Sequence, residues 1–344
     1  MTELTSSYIV EKVPSRSSNG EGCMKTRAES FPPGSFSVTK QGDRVRNAFA
    51  IVDAARPGFA GTQDSGVRVG LFGRGIGSSL TPAMHEAEGG RHGLHYRYDL
   101  IDFDRLGLED NDLDAMLAAV RERGYSGLNI TYPFKQAILP LLDDLSPEAD
   151  LIGAVNTVVL RHGGCMGHNT DSWGFAQSVR AGLGAVQMDH VVQVGAGGAG
   201  AAIAHALVQL GATSLDIVDA DAARAQNLAT HIARTSNART QALMPDQLGE
   251  VIGHAAGVVN ATPVGMEKLP GMPFDPAILG PHQWLADIIY FPRETELIRQ
   301  ASRLGCRTLP GGGMAIYQAA RAFRLFTDID PDSAEMSKTF AANA

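Results

Sequence analysis

Three cysteines in 344 residues, Cys23, Cys165 and Cys306, are odd in number and far apart, and no Cys-x-x-Cys pair is present. That argues against both a disulfide framework and a zinc site. Long apolar runs are missing too: none approaches the roughly 20 residues that cross a bilayer, and the N-terminus lacks the charged-then-apolar pattern of a signal peptide. There is no basic excess either. Lys and Arg number 29 against 37 Asp and Glu, a formal charge of −8, with no basic block to neutralise a phosphate backbone. Nucleic acid and membrane are therefore set aside as partners, and a cytoplasmic protein with reduced thiols is expected. At 44% hydrophobic and 19% charged, the chain can bury a real core and is long enough for about two domains at roughly 150 residues each.

Residues 1–65 are rich in Ser, Gly, Pro and Arg, with one short apolar patch from Ala48 to Ala55. They read as a mostly disordered extension, because such a composition sets little apolar burial against the entropy of ordering. After Gly66 the texture changes to short apolar runs separated by helical patterns. Strands are expected at Val67–Gly73, Tyr96–Ile101, Gly127–Thr131 and Asn156–Leu160, with helices at Asp112–Arg123 and Phe134–Leu142. A helix from about Ser172 to Gly182 leads to a second alternation. Its strands are His190–Gly195, Leu215–Asp219, Gly257–Asn260 and Trp284–Tyr290, and its helices Gly200–Leu210 and Ala222–Ala233. An amphipathic helix from about Met314 to Phe326 comes last. Strands separated by helices imply an α/β protein with parallel pairing and right-handed crossovers.

Gly195-Ala196-Gly197-Gly198-Ala199-Gly200 follows a strand and opens a helix, the context that a G-x-G-x-x-G fingerprint requires. Gly195 permits the tight turn, Gly197 lets backbone approach a pyrophosphate, and Gly200 allows close helix–strand packing, with the negative charge received at the helix N-terminus. Asp219 ends the second strand, 24 residues after the first glycine. A carboxylate there accepts from ribose hydroxyls and repels a 2′-phosphate, so NAD is expected over NADP, although Arg224 lies one helical turn onward. Asp219 equally suits an N-cap of the next helix.

Several polar clusters lack a folding rationale. Gly73 to His85 carries Ser79-Leu80-Thr81 between a strand and a helix, a seat for a carboxylate, although capping of the helix would use one of the two hydroxyls. Asn129-Ile130-Thr131-Tyr132-Pro133-Phe134-Lys135 puts Lys135 near a helix start, where a cation is electrostatically unfavourable. Gly153 to Val158, with Asn156, and Gly167-His168-Asn169-Thr170-Asp171 add amides and a carboxylate at strand ends. His85 and His168 have no second ligand at metal spacing, so no metal is expected. Trp284, Met266 and Met314 read as packing residues.

These motifs, in this order, make the chain resemble the shikimate dehydrogenase family over about Val67 to Phe326. The resemblance implies two domains. Residues 66–170, completed by 311–344, would form an α/β substrate-binding catalytic domain, and 171–310 a Rossmann NAD-binding domain. The family's catalytic Lys falls on Lys135 and its partner Asp on Asp171. Its carboxylate-binding pair reads Ser79 and Thr81, and its substrate-binding Thr, Asn and Gln match Thr131, Asn156 and Gln318. Its nicotinamide-side contacts fall within Asn260-Ala261-Thr262-Pro263-Val264-Gly265-Met266, notably Asn260, Thr262, Pro263, Gly265 and Met266.

Two departures separate this chain from biosynthetic members. Those usually show His-Ser-x-Ser and then His-Asn, where Ser78-Ser79-Leu80-Thr81 and His85-Glu86 stand here. They also commonly carry Asn-Arg-Thr after the second Rossmann strand, where Asp219-Ala220-Asp221 stands here. Both resemble the NAD-dependent quinate/shikimate branch, which implies a small cyclohexane carboxylic acid as substrate. The alternatives are an NADP-dependent biosynthetic enzyme, a non-catalytic NAD sensor of the same fold and a methylene-tetrahydrofolate type of dehydrogenase. The oligomeric state is left open, with a homodimer among the options.

Overall fold

Apolar runs bounded by glycine, each followed by an amphipathic stretch, build two six-stranded sheets wrapped by helices. The computed structural model describes residues 36–56, 66–161 and 163–343. In chain order the first part holds α1 (Phe36–Ala55), β1 (Val67–Gly73), α2 (Thr81–Arg91), β2 (Tyr96–Asp102), α3 (Leu113–Glu122), β3 (Gly127–Ile130), α4 (Phe134–Ala137), β4 (Asp144–Leu145), α5 (Pro147–Ile152), β5 (Thr157–Arg161) and β6 (Gly164–His168). Helix α6 (Asp171–Gly182) leads to β7 (His190–Val194), α7 (Gly198–Gln209), β8 (Ser214–Val218), α8 (Ala222–Thr235), β9 (Arg239–Leu243), α9 (Leu248–Ile252), β10 (Gly257–Asn260), β11 (Trp284–Asp287), α10 (Glu296–Arg303) and β12 (Arg307–Leu309). Then α11 (Gly312–Thr327) and α12 (Ser333–Asn343) close the chain.

The second sheet runs β12-β11-β10-β7-β8-β9, all parallel. Chain order reverses between β7 and β10, so a crevice opens beyond their carboxyl ends, the place where open α/β sheets bind ligands. The first sheet, ordered β2-β1-β3-β5-β6-β4, corrects the expectation of parallel pairing throughout. Strand β5 is antiparallel to both β3 and β6, whereas β1 pairs in parallel with β2 and β3. No helix separates β5 from β6, so the crossover argument does not reach this hairpin. Its consequence is functional: the start of β5 lies beside the carboxyl ends of β1 and β3, and three polar loops share one edge. Helix α11 returns to this sheet, packing Phe323 and Phe326 against Tyr96, Tyr98 and Val69.

The stretch read as a helix from Phe134 to Leu142 is only the short α4, followed by a separate 3-10 turn at Leu139–Leu141. Pro140 has no N–H to continue the ladder. The reading of residues 1–65 as an extension is corrected for α1; residues 1–35 and 57–65 lie outside the described residues. Val45, Ala48, Phe49 and Val52 are buried, and their i, i+3, i+4, i+7 spacing makes one apolar face that packs with α3 and Tyr125. Beneath its end, Arg97 donates to the carbonyls of Val52 and Arg56. Arg68 joins Asp53 at 2.6 Å to the buried Asp99 at 2.8 Å. Charges that would be costly to bury alone are thus compensated by a helix that composition hides. Among the described residues no helix is long and apolar enough to cross a membrane.

Phe49→Ala is expected to lower the unfolding free energy by roughly 3 kcal/mol or more, the usual cost of emptying a buried aromatic site. A urea-denaturation midpoint equal to that of the unmodified protein would show that α1 contributes nothing to the core.

Candidate active site

Lys135 sits in the first turn of α4 and Asp171 opens α6, and the segments that follow β3 and β6 of the first sheet bring them together. Lys135 Nζ donates to Asp171 Oδ2 at 2.6 Å, with the side chains 18% and 7% exposed. The unfavourable position of Lys135 is therefore relieved by a carboxylate from another element, itself favoured at a helix N-terminus. Asn169 fixes the backbone at that point: its Oδ1 accepts from Asp171 N at 3.0 Å and Ser172 N at 3.3 Å, and its Nδ2 donates to the Ala154 carbonyl. Asn156 is buried and committed as well. It donates to Thr170 Oγ1 and accepts from Thr170 N at 2.8 Å. In this arrangement Asn156 anchors the start of α6.

The Ser79-Leu80-Thr81 seat lies at the carboxyl end of β1. The N-cap of α2, Leu80, makes no side-chain cap bond. Ser79 Oγ accepts from Thr81 N, the first N–H of the helix, at 3.4 Å and donates to Thr81 Oγ1 at 3.3 Å, which sets two half-buried hydroxyls side by side. Thr131 lies next along this edge, its N–H bonded to the Phe72 carbonyl. Gln318 approaches from α11, whose backbone is pressed on α6 at Gly174, and its amide donates to the Ala315 carbonyl at 3.1 Å. His85 is buried among aromatic rings with Nδ1 2.9 Å from Tyr96 Oη, and burial pushes its imidazolium down to about 3. Among the described residues no three His, Cys, Asp or Glu side chains form a metal-binding group.

Across the cleft, Gly195 has φ +106° and packs on the Ala261 backbone, where a Cβ would stand 2.7 Å from the carbonyl carbon. A Cβ on Gly200 would lie 2.3 Å from the Gly195 oxygen, so only glycine lets α7 start this close to β7. Gln193 donates to the carbonyls of both glycines. The Gly197 face is open, with nothing within 4 Å of a Cβ position. Free main-chain N–H groups, an open glycine face and a helix start fit a dinucleotide's pyrophosphate. Asp219 does not cap α8; Asp221 does. The Asp219 carboxylate accepts from Ala196 N at 2.7 Å and Asp221 N at 2.8 Å, at the edge of the glycine turn. Arg224, 65% exposed, is held by Asp221 at 3.3 Å.

Asn260 is buried and spans its loop, donating to the Val264 carbonyl and to Asp287 Oδ1 and accepting from Thr262 N and Oγ1. Pro263 and Gly265 (φ +114°) complete that turn. Met266 is 39% exposed, which corrects its reading as a packing residue, whereas Trp284 and Met314 are buried. The two halves meet closely: a Cβ on Gly198 would lie 3.6 Å from Lys135 Cβ, and Lys268 Nζ donates to the Gly75 carbonyl at 2.9 Å.

The model of the "Shikimate dehydrogenase substrate binding domain" matches residues 71–158, and that of the "Shikimate 5'-dehydrogenase C-terminal domain" matches 311–339. A shikimate dehydrogenase (NADP(+)) of Streptomyces avermitilis is 51% identical over 80% of this chain and 94% of its own length. A quinate/shikimate dehydrogenase (NAD(+)) of Corynebacterium efficiens is 49% identical over 80% and 97%. This chain belongs to the shikimate dehydrogenase family. It is an oxidoreductase with the family's two-part α/β fold. The quinate dehydrogenase of Corynebacterium glutamicum, solved in complex with NAD, is similar at TM-score 0.76 and 47% identity, over 80% of this chain and 99% of that one.

Two residues of this shikimate dehydrogenase family member escaped the sequence reading because the strand from Trp284 stops at Asp287 rather than Tyr290. Buried Asp287 accepts from Asn260 and from Ile289 N through Oδ1 and from Thr295 Oγ1 through Oδ2, and so ties two loops together. Tyr290 comes next. Burial of its hydroxyl end, and secondarily the Asp171 carboxylate, raise its phenol above the ordinary value, although the residue is 37% exposed. A carboxylate and a tyrosine at the carboxyl end of an apolar strand were the available signal.

Burial pushes the Asp287 carboxyl up to about 6, against hydrogen bonds that favour the anion. The folded state then holds a proton that the unfolded chain has released, so this group's contribution to stability is full below about pH 4 and is lost as the pH rises to about 6. The stability of Asp287→Asn relative to the unmodified protein should accordingly improve over that window, by on the order of 2 kcal/mol. A stability difference that does not change with pH would show that Asp287 titrates normally.

Proposed function

We propose that this chain transfers a hydride reversibly between quinate or shikimate and NAD, giving 3-dehydroquinate or 3-dehydroshikimate. The observation that carries the reading is the Lys135–Asp171 pair at 2.6 Å, set between a hydroxyl-bearing seat and a glycine turn. The nicotinamide, when bound, supplies the hydride acceptor, and that chemistry is the cofactor's own. The chain's residues position the acid and handle the proton. Lys135 takes the proton of the secondary alcohol as the hydride leaves the same carbon, and returns it in the reverse direction. Asp171 orients the Lys135 nitrogen and accepts from a neighbouring ring hydroxyl. Ser79 and Thr81 donate to the substrate carboxylate, and Thr131 and Gln318 read hydroxyls. Asn156 works chiefly by holding Thr170 and Asp171 in place.

NAD is favoured because Asp219 offers a carboxylate to the ribose diol and would repel a 2′-phosphate. Arg224 does not compensate, being engaged by Asp221. Relatives named for NADP and for NAD stand at 51% and 49% identity, so overall similarity does not choose between the cofactors and this residue must.

The test is kcat/KM for quinate and for shikimate, each with NAD and with NADP. Turnover of both acids with NAD preferred is expected. Background rates with both acids would defeat the proposal, and a higher value with NADP would defeat its cofactor half. Asp219→Ser combined with Ala220→Arg should then move the preference toward NADP.

Lys135→Ala should lower kcat by about 10²–10⁴-fold while leaving the Kd for NAD unchanged, since a general base contributes on that scale. Asp171→Asn should lower kcat too. A KM effect alone in that variant would reduce Asp171 to a substrate contact.

A further inference from the structure

The hydroxyls assigned to the substrate carboxylate sit on a turn, and a turn on the surface of a sheet needs something to hold it. At the carboxyl end of β2, the buried Asp102 faces that turn with its carboxylate. Oδ1 accepts from Gly75 N at 3.0 Å and Asp104 N at 3.1 Å, and Oδ2 accepts from Ile76 N at 3.0 Å. The next bond in the series runs from Ser79 N to the Ile76 carbonyl at 3.0 Å. Ile76 is buried, so the residue whose N–H and carbonyl make these two bonds is fixed by its side chain. The Gly75 carbonyl of the same turn receives Lys268 from across the cleft. Arg74, donating to Asp104 at 2.6 Å, ties the turn to the β2 side a second time.

From this series we infer that Asp102 is a positioning residue for substrate selection: through Ile76 it sets where Ser79 and Thr81 present their hydroxyls, and thereby makes the enzyme prefer a carboxylate-bearing ring over its uncharged counterpart. The inference rests on the proposed reading of the Ser79–Thr81 seat. Only a side chain with two acceptor oxygens in this orientation both satisfies and fixes all three N–H groups by itself. An amide at position 102 must turn its NH2 toward at least one of them, which loosens either the Gly75 or the Ile76 end of the turn. The three N–H donors also offset the anionic charge of Asp102, which limits its repulsion of an incoming carboxylate.

The experiment compares shikimate with its neutral methyl ester, using NAD as cofactor, in the unmodified enzyme and in Asp102→Asn. The readout is the acid-to-ester ratio of kcat/KM. A purely structural lesion depresses both substrates together and leaves that ratio alone. Positioning of the carboxylate seat predicts that the ratio falls about tenfold or more, the usual weight of a misplaced hydrogen bond to a charged group. The fall should come chiefly from a raised KM for the acid. If Asp102→Asn is not recovered folded, Asp102→Ser is read in the same way, its hydroxyl and the space it leaves for water satisfying the N–H groups without fixing them. A ratio that is unchanged or raised overturns the inference while the proposed function stands. An unmodified enzyme inert toward both shikimate and quinate overturns the functional reading and the inference with it.

Discussion

An ammonium and a carboxylate held 2.6 Å apart and largely out of water are stable together only if each is fixed from behind. Much of this fold can be understood as that support. Asp171 is the first residue of α6, and its N–H is bound by Asn169, whose amide reaches back to Ala154. The preceding Thr170 is gripped by Asn156 at the entrance to β5. On the other side, Lys135 follows a turn whose Thr131 N–H is bonded to the end of β1, and the Lys135 carbonyl accepts from Val155 N. The pair therefore joins three strands of one sheet to the helix that leaves it.

The antiparallel β3–β5–β6 segment is what makes this possible. In an all-parallel sheet the residue preceding β5 would lie at the edge remote from the loops after β1 and β3. Reversal of β5 brings Asn156 to the same edge as Thr131 and the Ser79 turn, with Asn129 Nδ2 donating to the Asn156 carbonyl and to Thr157 Oγ1 across the pairing. The second sheet keeps the parallel order, and its switch point between β7 and β10 faces this edge with the glycine turn and the Asn260 loop. One sheet thus contributes polar side chains for a small acid, and the other contributes main-chain N–H groups suited to a phosphate.

Four of the six strands of the second sheet were legible in the sequence because each is mostly apolar and stands beside a glycine or a helix start, as in His190–Val194 and Gly257–Asn260, whereas the polar-rich edge strands Arg239–Leu243 and Arg307–Leu309 gave no such signal. The site pair was legible because Lys135 is electrostatically misplaced in a helical first turn and Asp171 is not. What stayed hidden had weaker local signals. Helix α1 has an apolar face of only four buried positions, and its docking depends on Arg68, Arg97 and Asp99, distant in sequence. Hairpin β5–β6 is joined too tightly for a helix-crossover rule to apply. Asp102 and Asp287 read as ordinary polar residues because their work is to accept main-chain or side-chain hydrogen bonds, a role that no composition or period marks. Asp219 and Arg224 were legible by spacing, yet only the ion pair to Asp221 shows that the arginine is engaged.

The contrast between Asp219 and Asp102 follows from what each carboxylate leaves unsatisfied. Asp102 is buried and has a donor on both oxygens, three in all, so it has little left for a ligand and acts through the chain it holds. Asp219 is half-exposed with one N–H donor on each oxygen, which fixes its orientation and leaves lone pairs directed outward. Orientation by backbone donors at the glycine turn places this free capacity beside the cradle itself. A ribose diol can use it, since two hydroxyls donate where lone pairs remain. A phosphate brings acceptors and negative charge instead, and would meet Asp219 and Asp221 together, with the exposed Arg224 already engaged by Asp221. On the proposed reading, cofactor choice in this chain turns on hydrogen-bond capacity as much as on the sign of the charge.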